Sequence, residues 1–460
     1  MKKYKIAEFG AVADGETLCT EAVQKAVDAC HAKGGGIVQF DRGRYALSTV
    51  FLKSNVTIEI PEETEILGAE SYYDYAQEEK VDYPIYQDSS HTYYHPSMFV
   101  GLDCENVKIT GGGKIDMRSV WDEDGVRGAA IKHRGAKCIA LKNCKNIEIS
   151  NLEINNATDL TIYFAGCENV DVFGIKMRVY IDGISPDNSK NVRIHDCDVE
   201  AGDDAIVFKS SYTLNRLDIC KNIHVWNCRL KSRCCAVKFG TETNGGFEDI
   251  VIENIDIRQT RITGIAIESV DGAVIDGVHI KNVKMTNVNA PLFIHVGRRM
   301  RGPEGRSIGE IKNVTLENIT ADGPYEPYEI IAWNYFSYKA GDFYQNPKVF
   351  GIAENFDGTK ETEEWQMTSN ICGLRESPLE NIVLRNVHLK LYGGIKEYKK
   401  EVPEEAQDYP EVYVYGRILP AKGIYFRYIN GLTLENVTVK TYYEDAREDF
   451  VFEATQKSQN

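Results

Sequence analysis

The chain has 460 residues, with 53 Lys plus Arg against 69 Asp plus Glu, a formal net charge of −16 and a pI near 5.2. That surplus of acid excludes nucleic acid and anionic membranes as partners, because both are held through concentrated positive charge. No stretch reaches the roughly 18 apolar residues of a membrane span, and Met1–Gly10 lacks the apolar core of a secretory leader. The sequence therefore points to a cytoplasmic protein whose twelve cysteines are reduced.

The first predicted element is a helix from about Thr20 to Lys33. Ala22, Val23, Ala26, Val27 and Cys30 share one face, and Gly34–Gly36 end it. From Asn55 onward a short phrase recurs: Asn followed by alternating β-formers. It reads NVTIEI at Asn55, NVKIT at Asn106, NIEI at Asn146, NVDV at Asn169, NVRI at Asn191 and NIHV at Asn222. Later copies are DIVI at Asp249, NVTL at Asn313, NIVL at Asn381 and GLTL at Gly431. A period of about 22 to 31 residues in mid-chain, with one Val/Ile-rich strand per repeat, predicts an all-β parallel solenoid in one domain covering 1–460. The helix is expected to cap the open end of that solenoid, with residues 1–60 forming the cap and first coils. Asn tolerates the left-handed conformation and can form a ladder at the turns. Cys104, Cys144, Cys167 and Cys220 each precede a repeat Asn by two positions, with Ser189 in the same place, which predicts an interior stack of buried thiols.

Three insertions break the rhythm. They cover 71–95, rich in tyrosine; 325–372, with several Tyr and Trp; and 392–415. Long loops on a rigid scaffold carry binding function, and aromatic rings suit the C–H faces of sugars. The other reading is that these rings only pin the loops.

Chemistry is densest between Tyr180 and Ser210. Asp182 lies 21 positions before Asp203, about one coil, so the two can stand above one another on strands roughly 4.8 Å apart. Gly202 permits a bend that brings Asp203 and Asp204 into one groove. Three carboxylates in one place repel, which holds one protonated while another acts as base, as glycoside hydrolysis requires. A calcium site or a turn with capping aspartates is the alternative.

Together these segments resemble glycoside hydrolase family 28, the polygalacturonase family. EFGAVADGETLCTEAVQKAVDAC from Glu8, GGGKID from Gly111, GDD at Gly202–Asp204 and GTETNGG at Gly240–Gly246 are similar to family segments in order and spacing, and Asp182 matches the end of its Asn-Thr-Asp motif. The resemblance implies a right-handed parallel β-helix and inverting hydrolysis without a cofactor or metal. It makes Asp203 the general acid and Asp182 and Asp204 the pair that activates water. Two departures stand out. Cys234 occupies the place of the family's supporting histidine. Ala266, Ile267 and Glu268 replace its Arg-Ile-Lys, which grips the galacturonate carboxylate. An acid at that place disfavours a uronate, so the expectation is an exo-acting enzyme that trims a non-uronate sugar from a plant-derived, pectin-related oligosaccharide or glycoside, with Glu268, Glu242 and Lys238 binding its hydroxyls. Alternatively, Arg298 and Arg299 supply a new carboxylate grip in an exo-polygalacturonase, with His295 replacing the lost histidine. A β-helix polysaccharide lyase and a non-catalytic solenoid are the remaining readings.

Overall fold

The computed structural model describes every residue except 88, 122–133, 324–327, 331–347, 351–366, 405–408 and 459–460, and gives 89, 328–330 and 348–350 as backbone alone. Most of the second insertion, with Tyr325, Trp333, Tyr335, Phe336, Tyr338 and Trp365, thus lies outside the described residues. The chain forms two compact units. One contains Met1–Ala201 and Tyr212–Arg216; the other contains Gly202–Ser211 and most of the chain from Leu217 onward.

In the first unit, Thr20–Ala32 is an α-helix whose buried Ala22, Val23, Ala26, Val27 and Cys30 lie against the strands Gly36–Gln39 and Val50–Phe51. The strands Glu105–Thr110, Lys145–Ser150, Glu168–Phe173 and Lys190–His195 then pair in parallel, each a coil apart. Their register stacks Val107, Ile147, Val170 and Val192 in one buried column. The period-2 alternation leaves Lys108 and Glu148 outside, paired at 2.7 Å. The repeat asparagines stand at the turns with φ between 55° and 64°. Each amide reaches the next: Asn106 donates to Asn55 at 2.8 Å, Asn146 to Asn106 at 3.0 Å and Asn169 to Asn146 at 3.1 Å. Asn is selected there because its short side chain tolerates left-handed backbone and both donates and accepts. The cysteine stack is present as expected. Cys144 N donates to Cys167 Sγ at 3.3 Å and Cys167 N to Ser189 Oγ at 3.1 Å, and all twelve thiols are free.

The second unit is built from longer strands. Ile219–Ser232, Gly246–Ser269, Val274–Val296, Glu310–Asp322, Leu379–Gly393 and Ala421–Tyr443 pair in parallel, and the column Ile223, Ile250, Val278, Val314, Ile382, Leu432 runs through them. A further sheet face positions the site. Here Ile206–Ser210, Cys235–Thr243, the C-terminal halves of Gly246–Ser269 and Val274–Val296, then Ser369–Cys372 and Ala421–Tyr443 are neighbours. One column is wholly apolar: Phe208, Phe239, Ile267, Ile294, Ile371, Phe426. The residues one position away make the opposite face, Lys238, Ala266, Phe293, Asn370, Tyr425, flanked by Glu268, His295, Cys372, Arg427.

On a bare solenoid this opposite face would meet water. The third insertion covers it. Val412, Val414, Tyr415 and Leu419 pack on Ala266, Phe293, Cys372 and Tyr425 in one buried cluster. The polar side chains of the face fasten the cover: Asn370 Nδ2 donates to Val412 O at 2.8 Å, and Arg427 donates to Pro403 O and Val402 O, both at 2.7 Å. Each fully buried large apolar side chain contributes roughly 1.5–3 kcal/mol, so the roof is a folded part of the unit.

Candidate active site

Asp182 belongs to the first unit. It is buried in the turn between the strands Lys176–Val179 and Ile184–Asp187, and its carbonyl accepts from Thr161 N at 2.9 Å. Asp203 and Asp204 belong to the second unit and precede the strand Ile206–Ser210, which Gly202 introduces. Asp203 is half-buried. Its carbonyl, not its carboxylate, is held by Ser232 Oγ and by Cys234 N at 3.4 Å, which leaves the carboxyl group for other work. Asp204 is buried. Its Oδ1 accepts from Cys235 N at 3.0 Å, and its Oδ2 lies 3.7 Å from Lys238 Nζ.

Lys238 is the hub. Its ammonium lies 2.7 Å from Glu411, 3.7 Å from Asp204 and 3.8 Å from Glu268, and all four residues are buried. Burial works against its charge, but Asp204, Glu411 and Glu268 outweigh that and hold it well above the ordinary lysine range. Glu268 has the reverse fate. Burial pushes its carboxyl well up, Lys238 offsets this only in part, and Glu411 and Asp204 add to it. One ammonium faces three buried carboxyl groups, and Glu268, wholly inaccessible to solvent, is the one whose burial favours the protonated form most.

This corrects the reading of Glu268 as a sugar ligand. It meets no solvent and lies 3.8 Å from Lys238, which Glu411 of the third insertion meets at 2.7 Å. The third insertion sits on Ala266, whose small side chain leaves room for Val412, Val414 and Tyr415. Lys238, also expected to touch substrate, is instead enclosed by acids. Cys234 is half-buried. Burial, and then the neighbouring Asp203, push its thiol well up, so it is neutral at physiological pH and does no acid–base work there.

The arginine loop is likewise occupied. Arg299 binds Asp271 through Nε at 2.9 Å and through Nη2, and also reaches Thr241 O. Asp271 accepts from Arg301 N and Thr243 N as well, so this buried acid ties the Gly240–Gly246 turn to the loop. Arg298 pairs with Glu376 at 2.8 Å and Glu404 at 3.5 Å. Glu242 pairs with Lys209 at 3.3 Å. His295 is buried beside Phe293, stacked at 14°, and its Nδ1 lies 3.1 Å from the Tyr415 hydroxyl. It anchors the roof, which removes it as a histidine for the reacting atoms.

Sequence reasoning missed Glu411, Tyr409 and Tyr413, all on the third insertion. Tyr409 is half exposed, yet it lies within electrostatic reach of Lys238, Glu411, Glu242 and Asp203, which places its ring at the open edge of the cluster. Arg233, beside Cys234, and Arg417, 5.1 Å over the Tyr413 ring, were missed too; Arg233 Nε and Arg417 Nη1 are buried without a hydrogen-bond partner among the described residues. No spacing rule could find these, because their neighbours come from distant segments. A surface groove in the first unit, lined by His31, Phe51, Lys53 and Asp103, contains none of the candidate residues.

Comparison with known proteins places this geometry. The family model described as Glycosyl hydrolases family 28 matches residues 49–328, more than half of the chain. A probable polygalacturonase of Vitis vinifera is 23% identical over 85% of this chain and 75% of its own length. An exo-poly-alpha-D-galacturonosidase of Dickeya chrysanthemi is 24% identical over 62% of this chain, which spans 56% of that relative. In structure, the chain is similar to a hyperthermoactive exopolygalacturonase from Thermotoga maritima, with a TM-score of 0.68 and 18% identity over 95% of this chain and 92% of that one. That likeness establishes the parallel β-helix fold. The family match, joined to the GDD segment at its expected place, settles the classification: the chain belongs to glycosyl hydrolases family 28.

Proposed function

We propose that the protein is an exo-acting, inverting glycoside hydrolase that releases the terminal galacturonate of pectin-related oligosaccharides. The observation that carries the exo reading is the roof. Val412, Val414, Tyr415 and Leu419 cover the sheet face from Ala266 onward, and in this reading they close one end of the substrate cleft beside Asp203. A closed end admits a chain terminus and blocks a polymer's interior.

The uronate reading gains from the same structure. The objection to it was a like charge at Glu268, and that carboxyl is inaccessible to solvent and pushed by burial toward its neutral form. Arg233 and Arg417 offer guanidinium groups near Cys234 and Tyr413, and planar forks suit a carboxylate. Arg298 and Arg299 lose that role to their acid partners. The named relatives that act on galacturonides support the choice. In this reading Asp203 protonates the leaving oxygen. Asp204 activates water, and Asp182 joins it by its place in the family motif.

Chromatography of products from trigalacturonate and from polygalacturonate tests both parts. Galacturonate alone, released from the start, is the expected product. A ladder of oligomers would overturn exo action. Turnover of neutral aryl glycosides with none of galacturonides would restore the non-uronate substrate.

A further inference from the structure

We propose that Glu411 and Lys238 form a positioning pair for Asp204, so that the third insertion supplies part of the machinery that prepares the base. This rests on the reading of Asp204 as a water-activating carboxylate.

The argument starts from geometry. Lys238 Nζ donates to Glu411 Oε1 at 2.7 Å, but stands 3.7 Å from Asp204 Oδ2, beyond a direct hydrogen bond. Cys235 holds both acids: its N–H donates to Asp204 Oδ1 at 3.0 Å and its thiol to Glu411 Oε2 at 3.7 Å. Burial, and then Glu411, push that thiol well up, so it keeps the proton it donates. Asp204 Oδ1 is thereby fixed, and Oδ2 faces a cation whose nearest acid is Glu411. Glu411 withholds the lysine. A direct Lys238–Asp204 bond would leave a weaker base, whereas no lysine at all would let the buried carboxylate take up a proton. The other charged groups facing this cluster include Glu268, whose carboxyl burial pushes up, Asp203, Arg233, the Lys209–Glu242 pair and Arg299, with Asp182 joining them on the proposed reading. Tyr409 faces it from the insertion. None of these is closer to Lys238 than Glu411 among the described ion pairs.

The two partners therefore act on Asp204 in opposite directions, which a purely structural role does not produce. The acid limb of kcat/KM against pH, measured with trigalacturonate, reports the base. In Lys238→Met it is expected to move up by about 1–3 pH units, the range for a lost opposite charge at this distance. In Glu411→Gln the lysine is released toward Asp204, and the limb moves down by about one unit with a lower kcat and an unchanged KM. Limbs that stay in place, or that move together, overturn the pair. Asp203→Asn, run alongside, separates the two readings: undiminished turnover there sinks the catalytic assignment itself. Urea unfolding gives a readout without substrate. The double variant should be no less stable than Lys238→Met alone, and additive midpoint losses would show that the two residues do not act as a unit.

Discussion

The first and third insertions look alike as sequence, both being long, tyrosine-rich interruptions of one repeat, yet they are used differently. In the first, Tyr83 donates to Thr213 O at 2.6 Å, Tyr94 stacks on Tyr163 at 5.6 Å and Tyr86 meets Tyr212 edge-on at 5.4 Å. Those rings pin the loop to its own unit. In the third, Val412, Val414 and Tyr415 also pin, but Glu411 and Tyr409 enter a charged cluster beside two candidate catalytic aspartates. Both cover a buried lysine, and the difference lies in who completes its charge: Lys137 under the first meets Asp159 of the coils at 3.4 Å and the Tyr93 carbonyl of the loop, whereas Lys238 under the third meets Glu411 of the loop itself at 2.7 Å. A loop is functional when the face it covers carries charge that the loop must complete.

That contrast can be broken most directly at its chemical end. Asp203→Asn should lower kcat by about 10²–10⁴-fold, the contribution of a general acid, with the thermal midpoint unchanged because the side chain is half-buried and its carbonyl makes the structural contacts. Lys238→Met should destabilise the protein by about 3–5 kcal/mol, since two ionised acids are left buried without their cation; calorimetry or urea unfolding would measure it. Leu419→Ala in the roof should cost about 2–5 kcal/mol and open the end of the groove, detectable as longer oligomers among the products. The same measurements on Tyr83→Phe, a pin of the first insertion, should show a loss of only about 1 kcal/mol and unaltered turnover. If Tyr83→Phe lowered kcat as much as a change in the roof, the distinction between the two insertions would collapse.

The smallest effect concerns pH. The carboxyl group of Glu268 is raised in the folded state relative to the unfolded chain. Its stability contribution is therefore complete below the unfolded carboxylate range and is lost as pH rises through the folded value. Glu268→Gln keeps the shape without the proton, so it should flatten the decline of the thermal midpoint on the alkaline side. A variant whose midpoint still falls as steeply as the wild type would exclude Glu268 as the titrating group.

Much of the scaffold was legible in the chain itself. A strand's side chains alternate with period 2 and a solenoid repeats its turn, so Val170 and Asn169 announce both their face and their position from local sequence alone. The GDD segment and Asp182 were legible for a similar reason, since fixed spacing on a repeating backbone is a spatial statement. The fates of Glu268 and Arg298 were not. Whether an acid is charged depends on its surroundings, and Glu268 is buried beside Lys238 and within electrostatic reach of Glu411, more than 140 positions away. Whether an arginine can grip a substrate depends on which acids reach it first, and Glu376 and Glu404 reach Arg298 through space. Coil, ladders and candidate aspartates can be read from the chain because they arise from short-range periodicity. That Ala266 is a seat for a roof and Glu268 a buried acid beside Lys238 emerges only in three dimensions, because desolvation and ion pairing are properties of neighbours in space.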